Sequence, residues 1–241
     1  MSDAVIEINN LTKQFKNALA VKNISFKMNK GKIIGLLGPN GCGKTTTIGM
    51  MLGLIKPTSG TVVINHKNIE NNRTSLLEKM NFISPYIELP KKLTVEENLK
   101  VYGRLYGVKN LKEKIYNLME KLNLTKFRSR KTGELSSGQK NRVSLAKALI
   151  NDPEILFLDE PTASLDPDVA DYIRGFIEDF ASKKGSTILL ASHNMNEVER
   201  LCHEVMMMKN GEIIDRGTSG DLIDKHGRKN LEEVFLKIVR E

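Results

Sequence analysis

The 241-residue sequence predicts an α/β fold with a mostly parallel sheet, an N-terminal antiparallel β layer and an inserted α-helical subdomain. Three observations carry this reading. Short, wholly apolar runs such as Ile33–Leu37 and Ile155–Leu158 mark strands buried on both faces. These runs alternate with stretches of helical spacing, the arrangement that links parallel strands. Between Pro90 and Ile150, β-branched runs disappear and helical spacing alone remains.

Residues 4–8 and 20–27 alternate apolar and polar, as strands of a half-buried antiparallel layer do. Ile33–Leu37 then runs into Gly38 as a buried parallel strand. Lys44–Ile55 reads as a helix, stopped by the turn sequence Lys56-Pro57-Thr58-Ser59-Gly60, and Thr61–Ile64 as a strand. Val95–Tyr106 and Leu111–Leu122 carry helical spacing. Strands return at Ile155–Leu158, Thr187–Ala191, Val205–Met208 and Glu212–Asp215, with a helix over Asp168–Lys183. Asn210-Gly211 between the last two is a hairpin signal. Leu231, Val234, Phe235 and Ile238 share one helical face, which is expected to pack on its own domain. The chain is thus expected to form one domain, with residues 1–88 and 151–241 as core plus antiparallel layer and 89–150 as the helical subdomain.

The formal charge of +8 admits an anionic partner. The lysines are scattered, however, and no arginine-aromatic platform for bases is present, so no nucleic acid is expected. The apolar runs fall far short of the ~20 residues that span a bilayer. The opening MSDAVIEINN contains an acid and lacks an apolar signal core, so a cytoplasmic protein is expected. Cys42 and Cys202 read as free thiols of a reducing compartment.

Gly38-Pro39-Asn40-Gly41-Cys42-Gly43-Lys44-Thr45 fits G-x-x-x-x-G-K-[ST] and stands between a strand and a helix. By composition the pattern arises by accident in roughly one chain in a hundred of this length, and the strand-helix context lowers that further. The glycines let backbone N–H groups turn inward around phosphate, and the helix start adds positive charge. Lys44 reaches the β and γ phosphates, and the Thr45 hydroxyl is suited to magnesium. The expected core is that of a P-loop NTPase.

The strand Ile155–Leu158 ends in Asp159-Glu160. Beside a phosphate loop, Asp159 suits magnesium and Glu160 suits a general base that polarises the attacking water.

Leu135-Ser136-Ser137-Gly138-Gln139 precedes a helical stretch, and alone it reads as an ordinary N-cap. With the loop and the acid pair in this order, the chain resembles an ABC transporter ATP-binding subunit over nearly its whole length, from Ile6 onward. Ser137 departs mildly from the LSGGQ signature of that family and keeps a small residue. The resemblance implies that Ser136, Ser137, Gly138 and Gln139 act on the ATP of a second subunit. It extends the ATP-binding set to Thr46 and Phe15, the latter standing where the family stacks an aromatic on adenine. It places Asp166 in a loop crossing the dimer seam, and His193 on the γ phosphate beside the catalytic Glu160 and Lys44. It implies Mg2+ with ATP as substrate, a second ATP-binding subunit, most simply a copy of itself, and a separate transmembrane permease. The terminal stretch Leu231–Leu236 resembles the short tail of drug- or ion-exporter subunits. One departure concerns the loop that carries a magnesium-binding glutamine in the family: Pro85 stands there, between Ser84 and Tyr86. Either Ser84 or a water substitutes, or that contact is weakened.

Two other functions stay open at this level. A soluble ABC-type ATPase acting on nucleic acid or ribosome shares the clamp, although 241 residues leave no room for a tandem cassette or a long coiled coil. A small-molecule kinase shares the loop but has no use for LSSGQ. Cys42 inside the loop is expected to make the enzyme sensitive to bulky thiol reagents.

Overall fold

The computed structural model describes residues 3–84, 87–163 and 165–240. Strands β1 (Ala4–Phe15) and β2 (Ala18–Asn29) form a long hairpin, and β4 (Ser59–Ile64) and β5 (Lys67–Asn68) complete a four-stranded antiparallel sheet in the order β2-β1-β4-β5. The second sheet contains β3 (Ile33–Leu37), β6 (Met80–Ile83), β7 (Ile155–Asp159), β8 (Thr187–Ala191), β9 (Glu204–Lys209) and β10 (Glu212–Gly217). Its order is β10-β9-β3-β8-β7-β6; every neighbouring pair is parallel except the β9–β10 hairpin. Asn210 and Gly211 both take left-handed backbone there (φ 50° and 85°), as a tight hairpin requires.

All five residues of β3, β7 and β8 are buried, and the two faces of the sheet feed different cores. Ile34, Leu36, Phe157, Leu189 and Met206 pack against the antiparallel layer (Ile6, Ile8, Phe26) and against α1 (Lys44–Met51). Leu156, Leu158, Ile188 and Leu190 face the other way, onto α5 (Ser137–Ala148) and α6 (Pro167–Lys184). Each such aliphatic or aromatic side chain contributes about 1.5–3 kcal/mol by leaving water. A third cluster seats the C-terminal helices. Leu231, Val234 and Ile238 of α9 (Leu231–Arg240) are buried with Leu222 of α8 (Ser219–His226) against Leu37, Val198, Val205 and Met207. The tail therefore packs on its own domain, as its apolar stripe predicts.

Helices α3 (Val95–Leu105) and α4 (Leu111–Lys121) join α5 on one side of the sheet. Gly103 permits the α3–α4 approach, since a Cβ there would lie 2.1 Å from Leu111. The segment before α5 is zipped to the start of α3: Val95 and Glu96 donate their N–H groups to Arg130 and Arg128, and Thr132 to Leu93.

The predicted strands all form, several extended by a residue or more. The first helix stops at Met51 rather than Ile55, because the chain turns at Gly53 with φ 63°. Five strands and α-helices are additional to the sequence reading: β5, α2 (Ile69–Leu77), β6, α7 (Met195–Leu201) and α8. Strand β6 has only four residues and carries Asn81, whose buried side chain bonds Asn151 and Tyr106, so its pattern does not announce a buried strand.

Glu96 ties this assembly together, pairing with Arg128 and Lys100, and these hydrogen-bonded cations hold its carboxyl down at about 2. A depressed carboxyl contributes stability above its unfolded value near 4.5, and that stability is lost as pH falls toward about 2. Both cations are about half exposed, so Glu96→Gln is expected to cost no more than about 1 kcal/mol, or ~2–4 °C in Tm at neutral pH. The gap from wild type should narrow as the pH of the melt is lowered through that window; a gap undiminished at about pH 3 contradicts the assignment.

Candidate nucleotide site

The C-terminal ends of β3, β7 and β8 lie side by side, and each continues into a loop carrying predicted site residues. Beyond β3 the loop Gly38–Gly43 turns into α1, whose N-cap is Gly43 at φ 112°. A side chain at Gly43 would strike the Ala20 carbonyl at 2.5 Å, and one at Gly38 the Met208 carbonyl at 2.3 Å. These contacts, from β2 and β9, are why the loop needs glycine at both positions. Lys44 folds back along the loop, its Nζ donating to the carbonyls of Gly38 (2.5 Å) and Pro39 (3.1 Å). Asn40, Gly41 and Thr45 are exposed, while Pro39 and Thr46 are half-buried.

Cys42 behaves differently from the sequence expectation. Its thiol is 3% exposed and packs behind Gly38, in the core under the antiparallel layer. Burial pushes the thiol up despite the opposing pull of Lys44. A buried, protonated thiol is a poor nucleophile, so only the backbone of Cys42 is available to the cradle, and bulky thiol reagents should react slowly.

Asp159 closes β7 at 5% exposure. Burial, and then the charge of Glu160, push its carboxyl up; a hydrogen bond from Ser84 Oγ (3.3 Å) and the Lys44 charge oppose this. Pro85 and Tyr86 lie outside the described residues, but Ser84 is thus already on the acid. Glu160 takes left-handed backbone (φ 52°), its N–H donates to the Ala191 carbonyl (2.8 Å), and its Oε1 stands 2.6 Å from His193 Nδ1. The His193 ring is three-quarters exposed.

Ser136 caps α5: its hydroxyl accepts from the Gln139 N–H (3.3 Å), while Gln139 Oε1 accepts from the Ser136 N–H (3.1 Å). An accepting hydroxyl keeps its own proton, so Ser136 Oγ remains a free donor toward an incoming anion. Ser137 lies with Ser84, Thr132, Lys140, Asn141 and Glu160 around a cleft of about 190 Å³. Asn141, which no motif singles out, donates its amide to the carbonyls of Pro161 (2.7 Å) and Ala163 (3.4 Å), the turn directly after Glu160. Asp166, exposed, precedes Pro167 at the start of α6; its neighbour Ser164 lies outside the described residues. Phe15 is 45% exposed at the end of β1, with the Lys13 ammonium 4.9 Å above its ring. An aromatic in that position is open to a stacking partner rather than part of the core. Among the described residues, no hydrogen bond joins Phe15, Ser136–Gln139 or Asp166 to the 38–46 loop.

Comparison with known proteins decides the family. The family model described as ABC transporter matches residues 21–163, more than half of the chain. The chain belongs to the ABC transporter family. It is similar to the Nod factor export ATP-binding protein I of Rhizobium sp. (strain N33), at 35% identity over 98% of this chain and 78% of that protein. It is also similar to the ABC transporter ATP-binding protein NatA of Bacillus subtilis (strain 168), at 33% identity over 92% and 91%. Among solved structures, an ATP-binding subunit of an ABC transporter superposes with a TM-score of 0.89 at 25% identity, over 97% of this chain and 98% of the other. The dimeric ATP-binding cassette MJ0796, in a post-hydrolysis state with ADP and Pi, gives 0.83 at 25% identity over 88% and 98%. As an ABC transporter ATP-binding subunit, the chain is an ATPase. Among the described residues, no helix is long and apolar enough to cross a membrane.

The electrostatics of this ABC cassette predict an opposition between stability and function. An acid whose folded-state pKa is raised destabilises the fold whenever it is ionised, and the penalty vanishes as pH falls and it protonates. Asp159→Asn keeps an acceptor for Ser84 and removes the charge. It should raise the Tm of the nucleotide-free protein by ~2–4 °C at neutral pH, about 1 kcal/mol, with the advantage fading in acid. A mutant less stable than wild type at neutral pH argues against a strained acid.

Proposed function

We propose that the chain powers an exporter, hydrolysing Mg-ATP at seams between two copies of itself on the cytoplasmic face of a separate permease. The observation that carries the chemistry is the Glu160–His193 contact of 2.6 Å at the ends of adjacent strands, next to the Gly38–Thr45 loop. Export rests on the similarity to the Nod factor export ATP-binding protein I and on the short terminal helix. Action on nucleic acid is not favoured, because the relatives of near-full coverage are named as transporter subunits.

In this reading the loop amides from Gly38 to Thr46 and the Lys44 ammonium hold the β and γ phosphates, and Phe15 stacks on the adenine. The residues fit a magnesium ion: the Thr45 hydroxyl and the Asp159 carboxylate are hard oxygen donors, and Asp159 carries a buried charge beside a second acid. Bound magnesium offsets the negative charge of the phosphates. Glu160 accepts the proton of the attacking water, and His193 fixes the carboxylate's direction through Oε1 while its exposed ring faces the γ phosphate. Ser136, Ser137, Gly138 and Gln139 of the partner copy meet the same phosphate at the start of α5, and Asp166 lies at the seam. The helical subdomain, residues 89–150, is the unit that moves this surface.

Glu160→Gln keeps the shape and loses the base. It is expected to bind ATP normally, to turn over ~10²–10⁴ times more slowly, and to run as a dimer with ATP and a monomer without it. Size exclusion with and without nucleotide checks this, and a monomer under both conditions defeats the seam. Lys44→Ala removes a charged donor worth about 1.5–3 kcal/mol. ATP affinity should drop roughly 10- to 100-fold by calorimetry; unchanged affinity refutes the role given to Lys44.

A further inference from the structure

Glu197, on α7, is completely buried, the most enclosed carboxylate among the described residues. Its two oxygens take one hydroxyl each: Thr162 Oγ1 donates to Oε1 at 2.8 Å, and Ser192 Oγ to Oε2 at 2.6 Å. Both hydroxyl residues are themselves buried, at 7% and 1% exposure. Thr162 lies two positions after Glu160, and Ser192 immediately before His193. One carboxylate therefore ties the turn leaving β7 to the turn leaving β8, close to each member of the Glu160–His193 pair.

The surroundings brace this tie from both ends. The Glu197 N–H donates to Asn194 Oδ1 (3.2 Å), and the Asn194 N–H donates to Ser192 Oγ (3.1 Å), so the second turn is locked onto the first turn of α7. On the other side, the Asn141 amide of α5 holds the Pro161 carbonyl. Between them stands Glu160 in left-handed backbone, a conformation that a residue with a side chain keeps only when its neighbours hold it.

The plain alternative is a satisfied core acid that only stabilises the fold. Against it stands the choice of residue: an ionised acid is costly to bury, and an apolar side chain of the same size fills the space without that cost. Burial pushes the Glu197 carboxyl up, while the two hydroxyls and the charge of Arg174 hold it down, so the tie is kept at some expense. A carboxylate also does what an amide does less well, accepting from two hydroxyls at once.

We infer that Glu197 is a positioning residue for ATP hydrolysis, setting the relative placement of Glu160 and His193 by clamping Thr162 to Ser192. The inference rests on the reading of Glu160 as the base. It distinguishes three roles: Glu160 and His193 face the water and phosphate, Thr162 and Ser192 carry their turns, and Glu197 joins the two.

The test compares turnover, KM for ATP and Tm across five variants of the full chain. Glu197→Ala and the nearly isosteric Thr162→Val are each expected to lower kcat by ~10–100-fold, as a displacement of about 1 Å at a reacting group does, with KM within about threefold of wild type. In a Glu160→Gln background, Thr162→Val should change the residual rate by less than about twofold, because it acts through the group already removed. The triple variant Thr162→Val, Ser192→Ala, Glu197→Met replaces the polar cluster by an apolar one; its Tm should return close to wild type while kcat stays low. Recovery of kcat together with Tm in the triple variant makes Glu197 a packing residue and overturns the proposal, as does wild-type kcat in Thr162→Val. Should Glu197→Ala not fold, the Thr162→Val and triple variants decide alone. If Glu160→Gln itself keeps wild-type turnover, the assignment of the base fails instead, so the two failures are told apart.

Discussion

The register of β3, β8 and β7 is the constraint on which the site depends, and its last rung is the Glu160 N–H donating to the Ala191 carbonyl. Buried on both faces, these strands carry apolar side chains along their length except at two ends, Thr187 where β8 begins and Asp159 where β7 closes. The polar groups of the site stand at their carboxyl ends. There the chain places Gly38–Thr45 after β3, Asp159 and Glu160 where β7 ends, and His193 beyond β8. A slip of one residue would exchange the two faces and move all three groups at once. The antiparallel layer enters the same constraint through Ala20, whose carbonyl limits position 43 to glycine.

Besides the apolar packing of α5 on the sheet, polar contacts tie the helical subdomain to this edge. Asn141 reaches from α5 to the Pro161–Ala163 turn, and Lys147 donates to the Phe82 carbonyl of β6. The helix that starts at Ser136 is therefore bonded to the backbone immediately after Glu160. Movement of α5 and placement of Glu160 share a turn, a physical route by which the state of one surface bears on the other.

What the sequence made legible follows from how much of each feature is local. Buried parallel strands show as apolar runs, and the phosphate loop shows because its glycines, lysine and threonine are contiguous. Helix α7 left a trace that a stricter reading would use, since Asn194 and Glu197 stand at N-cap and N3 spacing before Val198 and Leu201. Strand β6 and the Glu197 clamp were out of reach. Asn81, Tyr106 and Asn151 satisfy one another across 25 and 70 residues, and Thr162, Ser192 and Glu197 across up to 35. No pattern of spacing encodes such pairings. Cys42 shows the converse limit: membership of the loop located its backbone correctly, but the direction of its side chain depends on Gly38 leaving a space that the thiol fills.

On the proposed reading, the exposed starts of α5 and α6 account for why nucleotide and partner come together. Ser136 retains a hydroxyl proton, and the N–H groups of the first turn of a helix have no partner within it. In this chain no hydrogen bond joins them to the Gly38–Thr45 loop among the described residues. An anion held in the loop of one copy supplies what the helix start of another lacks, and two such meetings per pair double the effect. On that reading the attraction lasts only while the γ phosphate is held in the site. Cleavage then frees the phosphate, and its departure removes the bridging charge and with it the reason for the two surfaces to stay together. Association tied to a group that the same site destroys is enough to make a cycle, with the Glu160–His193 geometry setting its rate.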